Sequence, residues 1–136
     1  MSTTRARAMI VSTFVAGLVL QLLAFTLTYL KGEISPKDIG ILTAKLLGIY
    51  SVQMAVILGG VFGQYKSPRR TVPSLPFRIA FVLSLLWNLL LLWRSVSFYF
   101  AANDQTLDLL SYFDIVSGVS SFLVVGALAY FFAKQD

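Results

Sequence analysis

Long apolar stretches alternate with short polar ones along this chain of 136 residues. Each apolar stretch has about 20 residues or more, and an α-helix of that length, rising about 1.5 Å per residue, crosses a hydrocarbon core about 30 Å thick. The pattern therefore predicts transmembrane helices at about 9–30, 36–65, 75–101 and 107–133.

The polar stretches contain residues that end one helix and begin the next. Gly32 suits the left-handed conformation at a helix C-terminus, and Ser35 before Pro36 provides an N-cap followed by a favoured first residue. The prolines of the second connection have no amide proton to donate and interrupt the helix before them. Because the connections are short, the chain is predicted to be an all-α integral membrane protein with four antiparallel transmembrane helices, forming one domain over residues 1–136.

Composition supports a membrane location for the whole chain. Hydrophobic residues make up 57% of it and charged residues only 12%, whereas a soluble domain has about 25% charged residues. So few charges cannot cover the surface of a soluble globule. The first helix could instead be a signal peptide, but its apolar run is longer than a typical signal-peptide core and no A-x-A-like cleavage site follows it.

Positive charges collect on one side of the predicted membrane, whereas acidic residues balance the lysines on the other side. By the positive-inside rule, both termini are then cytoplasmic, and the chain belongs in the cell (inner) membrane. We expect this basic rim to contact anionic lipid. Its connections are too short to form a folded surface for nucleic acid, which we do not expect as a partner. The rim residues are Arg5, Arg7, Lys66, Arg69, Arg70 and Arg78.

Side chains that form hydrogen bonds recur near the middle of each predicted helix. An unpaired amide in hydrocarbon loses several kcal/mol, so these side chains are expected to point inward. They either join the helices to one another or line a wetted path, and the sequence leaves both readings open. This midplane layer comprises Gln21, Gln53, Asn88, Ser120 and Ser121.

Three charged residues also fall within the predicted helices, at one depth of the outer leaflet. Arg94 lies six residues beyond Asn88, about 9 Å toward the outside, and Lys45 and Asp114 lie at nearly the same level. A buried charge is unfavourable without a partner, so we predict that Asp114 is ionised and paired with Arg94, Lys45 or both. The alternative is that the two cations extend along their flexible stems to the lipid headgroups.

Small side chains recur at every fourth position of the second helix and form a ridge. Such ridges let helix backbones approach closely. We expect this ridge to pack against another helix of the same chain, and contact between subunits is the alternative. The ridge comprises Ser51, Ala55, Gly59 and Gly63.

Catalytic chemistry has little support in the sequence. The chain has no histidine and no cysteine, and Asp114 is the only carboxylate deep in a predicted span. Neither a metal site nor an acid–base pair can be assembled there, so we predict no enzyme activity and no cofactor.

Two functional classes remain. The first is an oligomeric channel, pore or small-solute transporter, in which the midplane and charged layers touch the solute and the amides of several copies face an axis. The second is a non-transporting subunit, scaffold or effector that binds a partner membrane protein or anionic lipid, with its amides bonded to each other. On the sequence alone we favour the first class, which requires a homo-oligomer.

Overall fold

The computed structural model describes residues 3–63, 74–101 and 106–133, which form four long α-helices. Each helix is long and apolar enough to cross a membrane, so the predicted all-helical fold is confirmed. The first helix begins before the predicted residue 9, because the alanines and arginines ahead of the apolar run favour a helix. The helices are α1 (Thr3–Leu30), α2 (Pro36–Gly63), α3 (Ser74–Phe100) and α4 (Thr106–Ala133).

The connection between α1 and α2 has the predicted stop and start signals. Gly32 has a positive φ of 79°, and its amide donates to the carbonyl of Tyr29 at 2.9 Å. Ser35 caps α2, because its hydroxyl accepts a hydrogen bond from the amide of Asp38 at 3.1 Å and donates to the Asp38 carboxylate at 2.8 Å. The predicted proline stops of the second connection lie outside the described residues.

The four helices pack as a square bundle. The neighbouring pairs are α1 with α2, α1 with α3, α2 with α4, and α3 with α4. Consequently α1 lies diagonally opposite α4, and α2 lies diagonally opposite α3. The pair of α1 and α3 forms one side of the bundle, and the pair of α2 and α4 forms the opposite side.

Aromatic side chains fill the centre of the bundle. Phe14, Tyr50 and Trp87 are buried, and the Trp87 ring lies 5.1 Å from the Tyr50 ring and 5.8 Å from the Phe14 ring. Large apolar side chains such as Leu23 and Phe122 are instead exposed on the outside. An apolar outer surface of this kind is favourable against lipid tails, so the protein is an integral membrane protein in a bilayer.

Candidate functional site

A buried chain of hydrogen bonds joins three helices at the middle of the bundle. The Gln21 amide of α1 donates to the Tyr50 hydroxyl of α2 at 2.6 Å, and that hydroxyl donates to Asn88 Oδ1 of α3 at 2.6 Å. The Asn88 amide in turn donates to the carbonyl of Ser84 at 2.8 Å. Gln21 and Asn88 of the predicted midplane layer are thus connected through Tyr50, which is not among the residues predicted for that layer.

Gly17 of α1 provides the space for this chain. A Cβ atom at position 17 would collide with Asn88 Oδ1 and lie 3.0 Å from the Tyr50 hydroxyl. The absence of a side chain therefore lets the backbone of α1 lie directly against the hydrogen-bonded groups. The sequence contains one signal for the role of Tyr50: it lies at midspan, away from the membrane interfaces where tyrosine is usually enriched.

A second hydrogen bond joins α2 to α4 in the same layer. The Gln53 amide donates to the Ser121 hydroxyl at 2.7 Å. Ser120 instead donates to the carbonyl of Val116 in its own helix. The predicted midplane residues therefore form two interhelical connections, and Ser120 belongs to neither.

Four buried side-chain atoms of the described residues have no hydrogen-bond partner. Each glutamine uses its amide nitrogen, so Gln21 Oε1 and Gln53 Oε1 are left as acceptors, and Ser84 Oγ and Trp87 Nε1 are also unpaired. The centre of the bundle therefore keeps hydrogen-bonding capacity beyond the contacts that join its helices.

Lys45 of α2 and Asp114 of α4 form an ion pair. Lys45 lies nine residues after the start of its helix and Asp114 eight residues after the start of its own, which is about 14 Å and 12 Å into the spans. Their side chains are 35% and 61% exposed, so the pair faces outward from the bundle. Charged groups facing outward at that depth are unfavourable against hydrocarbon.

Arg94 of α3, the other cation proposed for Asp114, lies beside an aromatic ring of α4. Its guanidinium carbon is 5.8 Å from the centre of the Tyr112 ring, within the range of a cation–π interaction. The Tyr112 hydroxyl donates to the carbonyl of Leu90 at 3.4 Å. Lys45 and Arg94 thus have different neighbours, although the sequence places them at one depth.

A cleft of about 390 Å³ opens on the outside of the bundle beside the ion pair, between α2 and α4. Five of its eight lining residues are small, three are polar or charged, and the cleft opens toward the outside of the bundle. The cleft residues are Ala44, Lys45, Gly48, Ile49, Val52, Ser117, Gly118 and Ser121.

Three residues of the small-residue ridge of α2 face outward near this cleft. Ser51, Ala55 and Gly59 are exposed, and no atom lies within 4 Å of a Cβ built at Gly59. The expectation that these residues pack against another helix of the same chain is therefore wrong. A Cβ at the adjacent Gly60 would instead collide with the Phe132 ring of α4, and Gly63 is the last residue of α2.

The described part of the basic rim lies at the beginning of α1 and α3. Arg5 and Arg78 are exposed, and Arg7 is half-buried with its guanidinium carbon 6.0 Å from the centre of the Phe132 ring. Three predicted rim residues, Lys66, Arg69 and Arg70, lie outside the described residues.

No protein-family model, curated protein or solved structure matches this chain.

Proposed function

We propose that this chain is a non-transporting membrane subunit that acts by assembling with another membrane protein chain. The observation that carries the proposal is that the midplane amides bond within one bundle. Gln21, Tyr50 and Asn88 form one connection, and Gln53 with Ser121 forms the other. A path for solute through this bundle would need those groups to face it, whereas here they hold its helices together.

The outward ion pair supports the assembly part of the proposal. Lys45 and Asp114 lie within two spans and on the outside of the bundle. Protein on that side would shield both charges from lipid and provide further hydrogen bonds. A neighbouring chain in the membrane therefore lowers the free energy of this surface.

An oligomeric channel, pore or small-solute transporter is the second candidate. Gln21 Oε1 and Gln53 Oε1 are buried without partners, and water in a path would satisfy both. A ring of copies with α2 and α4 toward a common axis would also place Lys45 and Asp114 beside the permeating solute. Charged rings of this kind determine which ions enter a pore.

We propose a topology with antiparallel helices, both termini in the cytoplasm and the chain in the inner membrane. The start of α3 meets the end of α4, where the Phe77 and Phe131 rings are 6.1 Å apart. The start of α1 also meets the end of α4 through Arg7 and Phe132. These contacts support alternating helix directions, and the basic rim at that end supports contact with anionic lipid.

We also propose that the chain is not an enzyme. It has no histidine or cysteine, and within residues 3–63, 74–101 and 106–133 no three acidic side chains form a group that could hold a metal ion. The protein's role is then in contact with other chains and lipid.

Ion flux from liposomes that contain only this chain tests the proposal. We expect flux no greater than from protein-free liposomes, because the midplane side chains are bonded within the bundle. Flux that changes its ion selectivity in Asp114→Asn, with Glu33→Gln as the control outside the spans, would establish the channel instead.

A further inference from the structure

The outside of α2 and α4 differs from the opposite side of the bundle, between α1 and α3. We name the α2–α4 face for the ion pair of Lys45 and Asp114 together with the adjoining cleft. Within the cleft the two helix backbones are accessible, because no atom lies within 4 Å of a Cβ built at Gly48 or Gly118. The opposite side, between α1 and α3, has a cleft whose nine lining residues include four leucines and no charged side chain.

The charges on the α2–α4 face are unfavourable against lipid unless other protein groups shield them. The Asp114 side chain is 61% exposed at about 12 Å into its span. A carboxylate on a short stem cannot reach the headgroups as a lysine can. Even with Lys45 as its partner, the Asp114 side chain stays mostly exposed on the outside of the bundle.

We propose that a second copy of this chain covers the α2–α4 face, in a dimer with a two-fold axis along the membrane normal. The proposal rests on the assembly role proposed above and names its partner. Charge complementarity carries it: rotation by half a turn places α2 of one copy against α4 of the other. Lys45 of each copy then meets Asp114 of the other at the same depth, so the face is complementary to itself.

The shape of the face suits the same partner. Gly48 on α2 and Gly118 on α4 leave both backbones open, and Ser117 and Ser121 line the cleft between them. Small residues let membrane helices approach closely, and hydroxyl groups form hydrogen bonds across such contacts. The outward ridge that begins at Ser51 continues this surface along α2.

Cross-linking in membranes tests the dimer, because the chain has no cysteine of its own. Val52→Cys places a thiol in the cleft, and Leu89→Cys places one on the opposite side of the bundle. The two native side chains are 51% and 50% exposed, so the variants are matched in access. We expect a dimeric cross-linked product from Val52→Cys that exceeds that of Leu89→Cys by about tenfold, since only the first thiol lies at the interface.

Charge reversal in trans tests the reciprocal ion pairs. Lys45→Asp gives a face with two anions, and Asp114→Lys gives a face with two cations. In the Val52→Cys background we expect each charge variant alone to give about tenfold less cross-linked product than Val52→Cys itself, because like charges then meet across the axis. Coexpression of the two variants should restore the product as a mixed dimer.

Equal cross-linking of Val52→Cys and Leu89→Cys, or none from either, would overturn the proposed dimer. This comparison does not depend on the charge variants, so it remains decisive if they do not accumulate. A ladder of larger products, or no recovery on coexpression of stable charge variants, also overturns it. The liposome measurement separates the two proposals. If the chain forms the dimer and also gives ion flux, the non-transporting role is wrong and the interface stands. If it gives neither flux nor dimer, the non-transporting role stands and the partner is not a second copy.

Discussion

Tyr50 joins buried polar side chains from two other helices, α1 and α3. Its hydroxyl accepts from Gln21 and donates to Asn88, both at 2.6 Å. Its ring also packs edge-on against Trp87, with the centroids 5.1 Å apart. A phenol suits this position, because one rigid group fills the aromatic core and supplies both a donor and an acceptor.

Replacing Tyr50 with phenylalanine should therefore destabilise the bundle. The variant keeps the ring but leaves the Gln21 amide and Asn88 Oδ1 without a partner, which costs about 1–2 kcal/mol in a membrane protein. Unfolding in mixed detergent micelles measures this loss. Tyr29→Phe is the control, because Tyr29 is exposed at the end of α1. Equal losses in the two variants would show that the hydrogen-bond chain contributes nothing to stability.

Glycine positions distinguish the inward and outward faces of the helices. Gly17 of α1 and Gly60 of α2 lie against side chains of neighbouring helices, whereas a Cβ built at Gly59 or Gly126 meets no atom within 4 Å. Helices α1 and α3 can therefore approach closely around Asn88. On α2, two adjacent glycines have opposite roles, because consecutive residues of a helix point about 100° apart.

Alanine substitution should separate these two kinds of glycine. In Gly17→Ala the new methyl group collides with Asn88, and we expect a loss of about 1–3 kcal/mol of stability, as is typical of overpacking. In Gly126→Ala the methyl group enters open space, so stability should stay unchanged or rise by up to about 1 kcal/mol from the better helix propensity. Unfolding of both variants under one set of detergent conditions provides the comparison. A smaller loss in Gly17→Ala than in Gly126→Ala would contradict the close approach at α1.

At the scale of the whole molecule, charge and helix order together suggest an orientation in the membrane. The described rim residues Arg5, Arg7 and Arg78 lie at the beginnings of α1 and α3. At the opposite end of the bundle, Lys31 has the acidic neighbour Glu33 at 3.6 Å. The net positive end is the one that the positive-inside rule assigns to the cytoplasm.

A reporter enzyme that is active only outside the cytoplasm tests this orientation. Fused after Asp136, it should be inactive, because the C-terminus is predicted to be cytoplasmic. Inserted after Glu33, in the connection between α1 and α2, it should be active. The reverse pattern would invert the proposed topology and the assignment of the basic rim to the cytoplasmic leaflet.

The number and type of the elements could be predicted from the sequence because the reasons are local. Hydrocarbon thickness sets the length of each apolar run, and backbone groups in lipid must bond within their own helix. The stop at Gly32 and the cap at Ser35 depend on the conformation and hydrogen bonding of a few neighbouring residues. Midspan depth likewise selected Gln21, Gln53 and Asn88, and all three side chains are buried.

Only the tertiary structure decided which residues meet. Membrane helices are apolar on every side, so hydrophobic periodicity does not reveal which side faces the core. By depth alone, both Lys45 and Arg94 are candidate partners of Asp114, and both α2 and α3 lie beside α4. The way α2 and α4 pack against each other brings the Lys45 side chain to the Asp114 carboxylate. The orientation of α2 about its own axis also places Tyr50 on the inside of the bundle and Gly59 of the ridge on the outside. These choices depend on how four helices pack around one another, which no single stretch of the sequence specifies.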